Sequence, residues 1–280
     1  MKKACLLFAL MITTSLFAQD YQGRLDDFFS SEIGKFKIPN VDISIVNDSE
    51  IFYSKSYGEK RSHNSLHYIG SVSKSLTAIG VLKLIEGKKL DFKQKLSDII
   101  PNIKYNEYSR NITIRNLLNH TSGISKRSGF SNLPSLPELN TTNYSLEVKR
   151  EPGKVYEYSN LNYSLLGLVI EQISGVPFSD FMLANIFKPL NMNSSKIFLH
   201  RQENDEIIKQ YQYWGNFPIR SKQVNYETTS IPAGFILSNA EDLSKYLAMM
   251  LTNVGDKPER FLEPRLISEM LTPWDNSEFG

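Results

Sequence analysis

The stretch YIGSVSKSLTAIGVLKLIEG, from Tyr68 to Gly87, decides the fold of this chain. It opens like the end of a strand, and over residues 73–86 its apolar side chains cover most of the circumference of a helix. These apolar positions are Leu76, Ile79, Val81, Leu82, Leu84 and Ile85. Gly87 supplies a stop signal. The pattern therefore predicts a central, buried helix whose first turn carries Ser71 and Lys74.

Ser71 and Lys74 are three residues apart, a spacing that places two side chains on the same face of a helix within hydrogen-bond reach. The helix dipole and burial both disfavour a positive charge at this end, so they lower the pKa of the lysine amine. A neutral amine can accept the hydroxyl proton of a serine nucleophile, and the Ser71 N–H can donate to an oxyanion. The motif alone fits equally well a capping serine followed by a surface lysine.

The segments before this helix predict a helix and a hairpin. In YQGRLDDFFSSEIGKF, the side chains of Leu25, Phe28, Phe29 and Ile33 recur on one helical face. VDISIVND and EIFYSKSYGE then alternate apolar and polar residues about a polar turn, which is typical of an antiparallel hairpin.

The segments after this helix predict a long helical block and a return to the first layer. Residues from Asp91 to about 200 form mainly helices and loops. AGFILSNAEDLSKYLAMML indicates a loop that enters a helix capped by Ser238, with Glu241 three residues later. This order predicts an α+β fold with two lobes built from one discontinuous chain.

The first eighteen residues, MKKACLLFALMITTSLFA, have the layout of a signal peptide, with cleavage after Ala18. Removing Lys2 and Lys3 leaves as many basic as acidic residues, because the whole chain has 32 Lys and Arg against 30 Asp and Glu. We therefore expect an exported protein, periplasmic or extracellular, with no membrane span after cleavage and no attraction for nucleic acid. Cys5, the only cysteine, lies inside this peptide, so the mature chain has no disulfide.

Four motifs in order carry a resemblance to a known family: IGSVSKS, LLNHTSGI, PGKVYEYSNLNYSLLG and PAGFILSNAEDLSKYL. Through them the chain resembles the serine β-lactamase and penicillin-binding-protein superfamily, from about residue 21 to 274. The branch is that of class C β-lactamases, D-alanyl-D-alanine carboxypeptidases and related esterases. The resemblance implies an antiparallel sheet flanked by helices, together with an all-helical lobe, in a domain that spans residues 19–280.

The resemblance also implies the roles of individual residues. Ser71 would be the acylated nucleophile, Lys74 its activating partner and Tyr158 the proton shuttle to the leaving group. Asn160 would anchor Lys74 and the substrate amide, and Gly234 would lie in a tight loop that binds substrate. The mechanism requires no metal and no organic cofactor.

The histidines are weaker candidates for the site, and the chain departs from the family at Phe235, where a second glycine is usual, and in its C-terminal part. His120 is interpreted as a structural hydrogen-bonding residue, and His63 and His67 lie in an extended stretch where their spacing does not converge on a metal. The third motif of the family, K-T-G or H-x-G, is absent after Phe235. We therefore expect a C-terminally incomplete domain that lacks the closing strands.

Three interpretations follow. The leading one is an exported serine hydrolase that acylates Ser71 with a β-lactam, a D-amino-acid peptide or an ester. The second is a catalytically silent protein that binds peptidoglycan or peptides. The third is a structural protein in which the motifs are relics of ancestry. The sequence does not distinguish the acyl substrate or the oligomeric state.

Overall fold

The computed structural model describes residues 21–47, 50–58, 65–128, 133–198, 207–221, 227–252 and 260–273. The proposed signal peptide, residues 1–18, and His63 lie outside these residues. The helices are α1 (21–36), α2 (Val72–Glu86), α3 (Leu96–Ile99), α4 (Ile114–Leu118), α5 (Leu136–Leu139), α6 (Asn160–Ser174), α7 (Phe178–Met182), α8 (Ile231–Gly234), α9 (Ala240–Thr252) and α10 (Pro264–Leu271).

Four two-stranded sheets accompany these helices in the described part of the chain. The strands are β1 (Asn40–Asn47), β2 (Glu50–Gly58), β3 (His67–Tyr68), β4 (Lys104–Tyr105), β5 (Ser145–Leu146), β6 (Tyr211–Trp214), β7 (Phe217–Arg220) and β8 (Leu237–Ser238). The pairs β1–β2, β3–β8 and β6–β7 are antiparallel, and β4–β5 is parallel. The combination confirms the expected α+β class.

Helix α2 is the centre of the core, as predicted. Ten of its fifteen residues are buried, and it packs against α6 and α8. The helix ends at Glu86 with Gly87 as its C-cap residue, as predicted, and the left-handed residue is Lys88 (φ +55°). The N–H of Lys89 reaches back to the carbonyl of Leu84 at 2.9 Å, so the last carbonyls of the helix are satisfied without a left-handed glycine.

Helix α1 and the hairpin β1–β2 form the first layer. Leu25, Phe29 and Ile33 are half-buried, and the ring of Phe29 lies 6.0 Å from that of Tyr53 in β2. Phe28 is 59% exposed, so its assignment to the buried face was wrong. The helix turns 100° per residue, which carries Phe28 away from the strip formed by the other three.

The pair β3–β8 joins two segments that are far apart in the sequence. His67 pairs with Ser238 and Tyr68 with Leu237, so the segment after residue 230 returns to the strand that precedes α2. The predicted helix cap at Ser238 was wrong, because Ser238 is in β8. Asn239 caps α9 instead, and its Oδ1 accepts the N–H of Asp242 at 2.8 Å.

Candidate active site

Ser71 lies where strand β3 gives way to helix α2. The Ile69 N–H donates to the Ile236 carbonyl at 3.1 Å, and Gly70 takes a left-handed conformation (φ +54°) that begins the turn. Ser71 is the N-cap residue of α2, but its side chain accepts no N–H of the described helix. A capping role therefore does not occupy Ser71 Oγ.

Lys74 is 6% exposed and makes three polar contacts through Nζ. Its amine lies 2.5 Å from the Ala233 carbonyl, 2.8 Å from Asn160 Oδ1 and 3.3 Å from Ser71 Oγ. The two shorter contacts are to oxygens that only accept hydrogen bonds, whereas a serine hydroxyl also donates. A neutral amine can therefore donate two protons to Ala233 and Asn160 and present its lone pair to Ser71.

The electrostatics of Lys74 favour this neutral form. Burial lowers the pKa of the Lys74 amine, and the neighbouring Tyr158 opposes that effect. No acidic residue lies in the first turn of α2 to offset the loss of water. The first turn of a helix also disfavours a positive charge.

Tyr158 contacts both Ser71 and Lys74. Its hydroxyl lies 2.7 Å from Ser71 Oγ, and Lys74 Nζ lies 4.9 Å from the centre of its ring. Tyr158 is 39% exposed, so it is accessible from solvent. Asn160, two residues later, begins α6, and this position directs its side chain to Lys74.

The turn that carries Tyr158 is held by His120 and its neighbours. The His120 Nδ1 accepts the Ser159 N–H at 3.2 Å and the Asn162 amide at 2.9 Å, while the His120 carbonyl accepts the Glu157 N–H at 2.8 Å. Burial, with a smaller contribution from the charge of Lys74, lowers the pKa of His120 to about 4. His120 is therefore a neutral acceptor near pH 7, in keeping with its structural interpretation.

The turn that contains His120 requires a glycine. His120 itself is left-handed (φ +58°), and Gly123 follows with φ +79°. A Cβ on Gly123 would lie 2.6 Å from the Arg150 carbonyl, so only glycine permits this close approach. Asn162 also supports this turn, because its Oδ1 accepts the Ser122 hydroxyl at 2.6 Å. No motif in the sequence predicts this contact.

The segment before β8 forms another wall of the site. Residues 231–234 form the single turn α8, not the expected loop, because Pro232 favours the first turn of a helix and the Phe235 N–H closes on the Ile231 carbonyl. The sequence did not reveal that the Ala233 carbonyl binds Lys74. Gly234 is the next residue and half-buried, and its role in binding substrate stays a prediction.

A cavity of about 450 Å³ adjoins these residues. Ser71, Lys74, Tyr158 and His120 line one side of it. The remaining lining is largely apolar, and it includes the ion pair between Arg115 and Glu269. The apolar walls are formed by Ala78, Leu82, Phe92, Leu118, Tyr163, Met270 and Pro273. The nucleophile, base and proton shuttle expected from the sequence therefore meet at a concave surface of a size suited to a small molecule.

The described residues contain no group of three or more His, Cys, Asp or Glu side chains placed to hold a metal ion. No single described helix is long and apolar enough to cross a membrane. The segments Asn160–Ser174 and Phe178–Phe187 have the length and apolar composition of a membrane span only when they are taken together, and they are bent by 80° relative to each other.

Comparison of the sequence with known proteins gives one family and several relatives. The Beta-lactamase family model matches residues 25–280. Protein flp of Staphylococcus aureus (strain COL) is 30% identical over 254 residues, which cover 85% of this chain and 50% of that protein. Penicillin-binding protein 4* of Bacillus subtilis (strain 168) is 33% identical over 200 residues, covering 65% and 43% respectively. The chain thus spans about half the length of the curated relatives it matches, or less.

Solved structures show the same fold. The octameric penicillin-binding protein homologue from Pyrococcus abyssi matches with a TM-score of 0.70 and 24% identity, over 89% of this chain and 60% of that one. The D-alanine carboxypeptidase AmpC from Burkholderia cenocepacia matches with a TM-score of 0.69 and 22% identity, over 89% and 69%. These likenesses confirm the fold expected from the sequence motifs.

Proposed function

This chain belongs to the beta-lactamase family, and we propose that it is an exported serine hydrolase that forms an acyl-enzyme on Ser71. Family membership supports a function of the serine hydrolase type. The observation that carries the finer proposal is the position of Ser71 Oγ, 2.7 Å from the Tyr158 hydroxyl and 3.3 Å from Lys74 Nζ. A nucleophile within reach of a base and a second proton carrier is the arrangement that acyl transfer needs.

The proposed reaction has two halves. Ser71 Oγ attacks the substrate carbonyl carbon while its proton passes to neutral Lys74. The tetrahedral intermediate then collapses, the bond to the leaving nitrogen or oxygen breaks, and the same proton returns through Tyr158 to that atom. Water hydrolyses the resulting ester and releases the acid and free Ser71. In this proposal the Ser71 N–H, at the beginning of α2, donates to the oxyanion.

The substrates that we propose are a β-lactam, a D-amino-acid peptide or a simple ester. The names of two similar proteins support the first two classes, since one is a penicillin-binding protein and another a D-alanine carboxypeptidase. The mainly apolar walls beside Ser71 favour a substrate with an apolar portion next to its carbonyl.

Covalent labelling tests the nucleophile. We expect a fluorescent penicillin or a fluorophosphonate to label the full chain at Ser71, and Ser71→Ala to abolish the label. Ser75→Ala is the matched control, because Ser75 lines the same cavity but donates its hydroxyl to the Val72 carbonyl at 2.8 Å. Labelling at another serine would refute the assignment. Reversible binding without labelling would favour the silent peptidoglycan- or peptide-binding protein.

Export to the periplasm or the extracellular space belongs to the same proposal. It is supported by Lys2, Lys3 and the apolar run that ends at Phe17. We expect the mature protein to begin at Gln19. N-terminal sequencing of material from outside the cytoplasm checks this, and the finding of Met1 on that material would contradict cleavage.

A further inference from the structure

A second and larger cavity, of about 630 Å³, lies beside α6, α7 and α8. Among the described residues it shares no lining side chain with the cavity beside Ser71. Ile231 and Pro232 of α8 face this second cavity, whereas the next residue, Ala233, turns its carbonyl to Lys74. The two cavities are therefore separate, and α8 stands between them.

Most of the second cavity is apolar. Its apolar lining consists of Leu136, Pro137, Leu168, Val176, Pro177, Phe178, Ile197, Ile231 and Pro232. A volume of several hundred cubic ångströms with such walls is typical of sites that hold small organic molecules. Burying an apolar body there is favourable, because it removes apolar surface from water.

Glu171 is an acidic side chain in this apolar wall. It lies in α6 and is half-buried, and its Oε1 accepts the Phe178 N–H at 2.9 Å. Burial raises the pKa of the Glu171 carboxyl, and the hydrogen bond from Phe178 opposes that effect. Within the described residues no basic side chain forms a salt bridge with Glu171. A carboxylate in this position gains from a cation that arrives with a ligand.

Ser164 is a second polar group on the same wall. It lies seven residues before Glu171 in α6, two helical turns away on the same face. Ser164 is 2% exposed, and its Oγ has no hydrogen-bond partner among the described residues. A buried hydroxyl without a partner is costly, and a ligand that supplies one recovers that cost.

We propose that this second cavity is a binding site for a small molecule with an apolar body and a protonated amine. The amine pairs with Glu171, the apolar body fills the space between Leu168, Phe178 and Ile231, and a polar atom of the ligand meets Ser164. The proposal does not rest on the hydrolase function, since none of these residues takes part in it.

Titration with a matched pair of probes tests the chemistry. We expect 4-phenylbutylamine to bind the full chain about tenfold more tightly than 4-phenylbutanol in isothermal titration calorimetry, because only the amine forms an ion pair. Glu171→Gln should remove this preference while it keeps an acceptor for the Phe178 N–H. Equal affinities for the two probes, no binding of either, or an undiminished preference in Glu171→Gln would each overturn the proposal.

A second set of variants tests the location. Val176 lines the cavity and is 43% exposed. Val176→Trp should therefore obstruct the cavity and weaken the binding of both probes without unfolding the protein. Val155, 44% exposed and not among the lining residues, provides the control Val155→Trp. Ser71→Ala should bind the amine as the unmodified chain does. If Ser71→Ala lost binding, or Val176→Trp kept it, the amine would occupy another site and the proposal would be wrong.

Discussion

Replacing Asn160 with Asp tests whether Lys74 acts as a neutral base. The Asn160 Oδ1 lies 2.8 Å from Lys74 Nζ, and Asn160 is the first residue of α6. Asp has nearly the shape of Asn and is favoured at the first turn of a helix, so the fold should persist. The change places a full negative charge beside the amine, and this charge stabilises the ammonium that the mechanism must avoid.

The size of the effect follows from the distance. Two opposite unit charges 2.8 Å apart attract by about 6 kcal/mol at an effective dielectric constant of about 20. Removing the new carboxylate from water at a half-buried position offsets part of this, which leaves about 3 kcal/mol in favour of the ammonium. Since about 1.4 kcal/mol corresponds to a factor of ten, the neutral fraction of Lys74 falls by up to about a hundredfold.

The assay is the rate of Ser71 labelling by a fluorophosphonate between pH 6 and pH 10. In the unmodified chain the labelling rate should rise with pH as Lys74 loses its proton. This rise should occur at a pH below the usual pKa of lysine, because burial lowers the pKa of Lys74. In Asn160→Asp the whole rise should move to higher pH, so that alkaline solution restores the rate.

Asn160→Ala is the matched control for this experiment. It removes the same hydrogen bond from Lys74 but adds no charge, so labelling should slow without movement of the rise to higher pH. The labelling rate could instead rise at the same pH in Asn160→Asp as in the unmodified chain, with equal labelling rates near pH 7. That result would show that Lys74 is not the base.

Three other predictions follow from the same contacts. Tyr158→Phe should slow the labelling of Ser71 by about a hundredfold to ten-thousandfold. It should change the free energy of unfolding by less than about 0.5 kcal/mol, because the hydroxyl is at an exposed position. Equal labelling rates in the variant and the unmodified chain would exclude Tyr158 as a proton shuttle. His120 has its pKa lowered to about 4 in the folded chain, so it contributes stability above about pH 6.5 that is lost by about pH 4. Urea unfolding should show that the free energy of unfolding falls by about 3 kcal/mol over this pH range. In His120→Gln the free energy of unfolding should depend less on pH. Parallel pH dependences in the two proteins would contradict this role of His120. Gly167→Ala should lower the free energy of unfolding by about 1–3 kcal/mol through overpacking, because its Cβ would lie 2.3 Å from Pro232 Cγ. Gly80→Ala is the control and should destabilise the protein less in thermal unfolding, because its nearest neighbours are side-chain ends at 3.2 Å.

The features that the sequence predicted well depend on local periodicity. Helix α2 is buried as expected, because its apolar residues cover most of the circumference and ten of its fifteen residues are buried. The hairpin β1–β2 also follows from local alternation, and Ser71 and Lys74 meet because they are three residues apart on one helix. Each of these contacts is set within a few residues of chain.

The contact between Ser71 and Tyr158 joins residues 87 apart, and periodicity does not predict it. Only the resemblance to a family suggested that the two side chains meet. The errors have two origins. Phe28 was assigned from helical periodicity and Ser238 from capping propensity, but Asn239 caps α9. The loop expected at Gly234 came from the resemblance, and Pro232 instead begins a helical turn there.

The buried polar residues of α2 show why the site could not be completed from the motifs. Ser73 and Thr77 are fully buried, and each bonds the 231–236 segment: Ser73 Oγ accepts the Ile236 N–H, and Thr77 Oγ1 donates to the Pro232 carbonyl. Lys74 lies between them and donates to the Ala233 carbonyl, 159 residues away. A backbone carbonyl has no signature in the sequence, yet this one accepts a hydrogen bond from Lys74 Nζ. In the proposed mechanism that bond helps to direct the lone pair of the neutral amine to Ser71. The residue types of the site can therefore be predicted from the sequence. The protonation state of Lys74, on which the proposed chemistry depends, is set by the packing of α8 against α2.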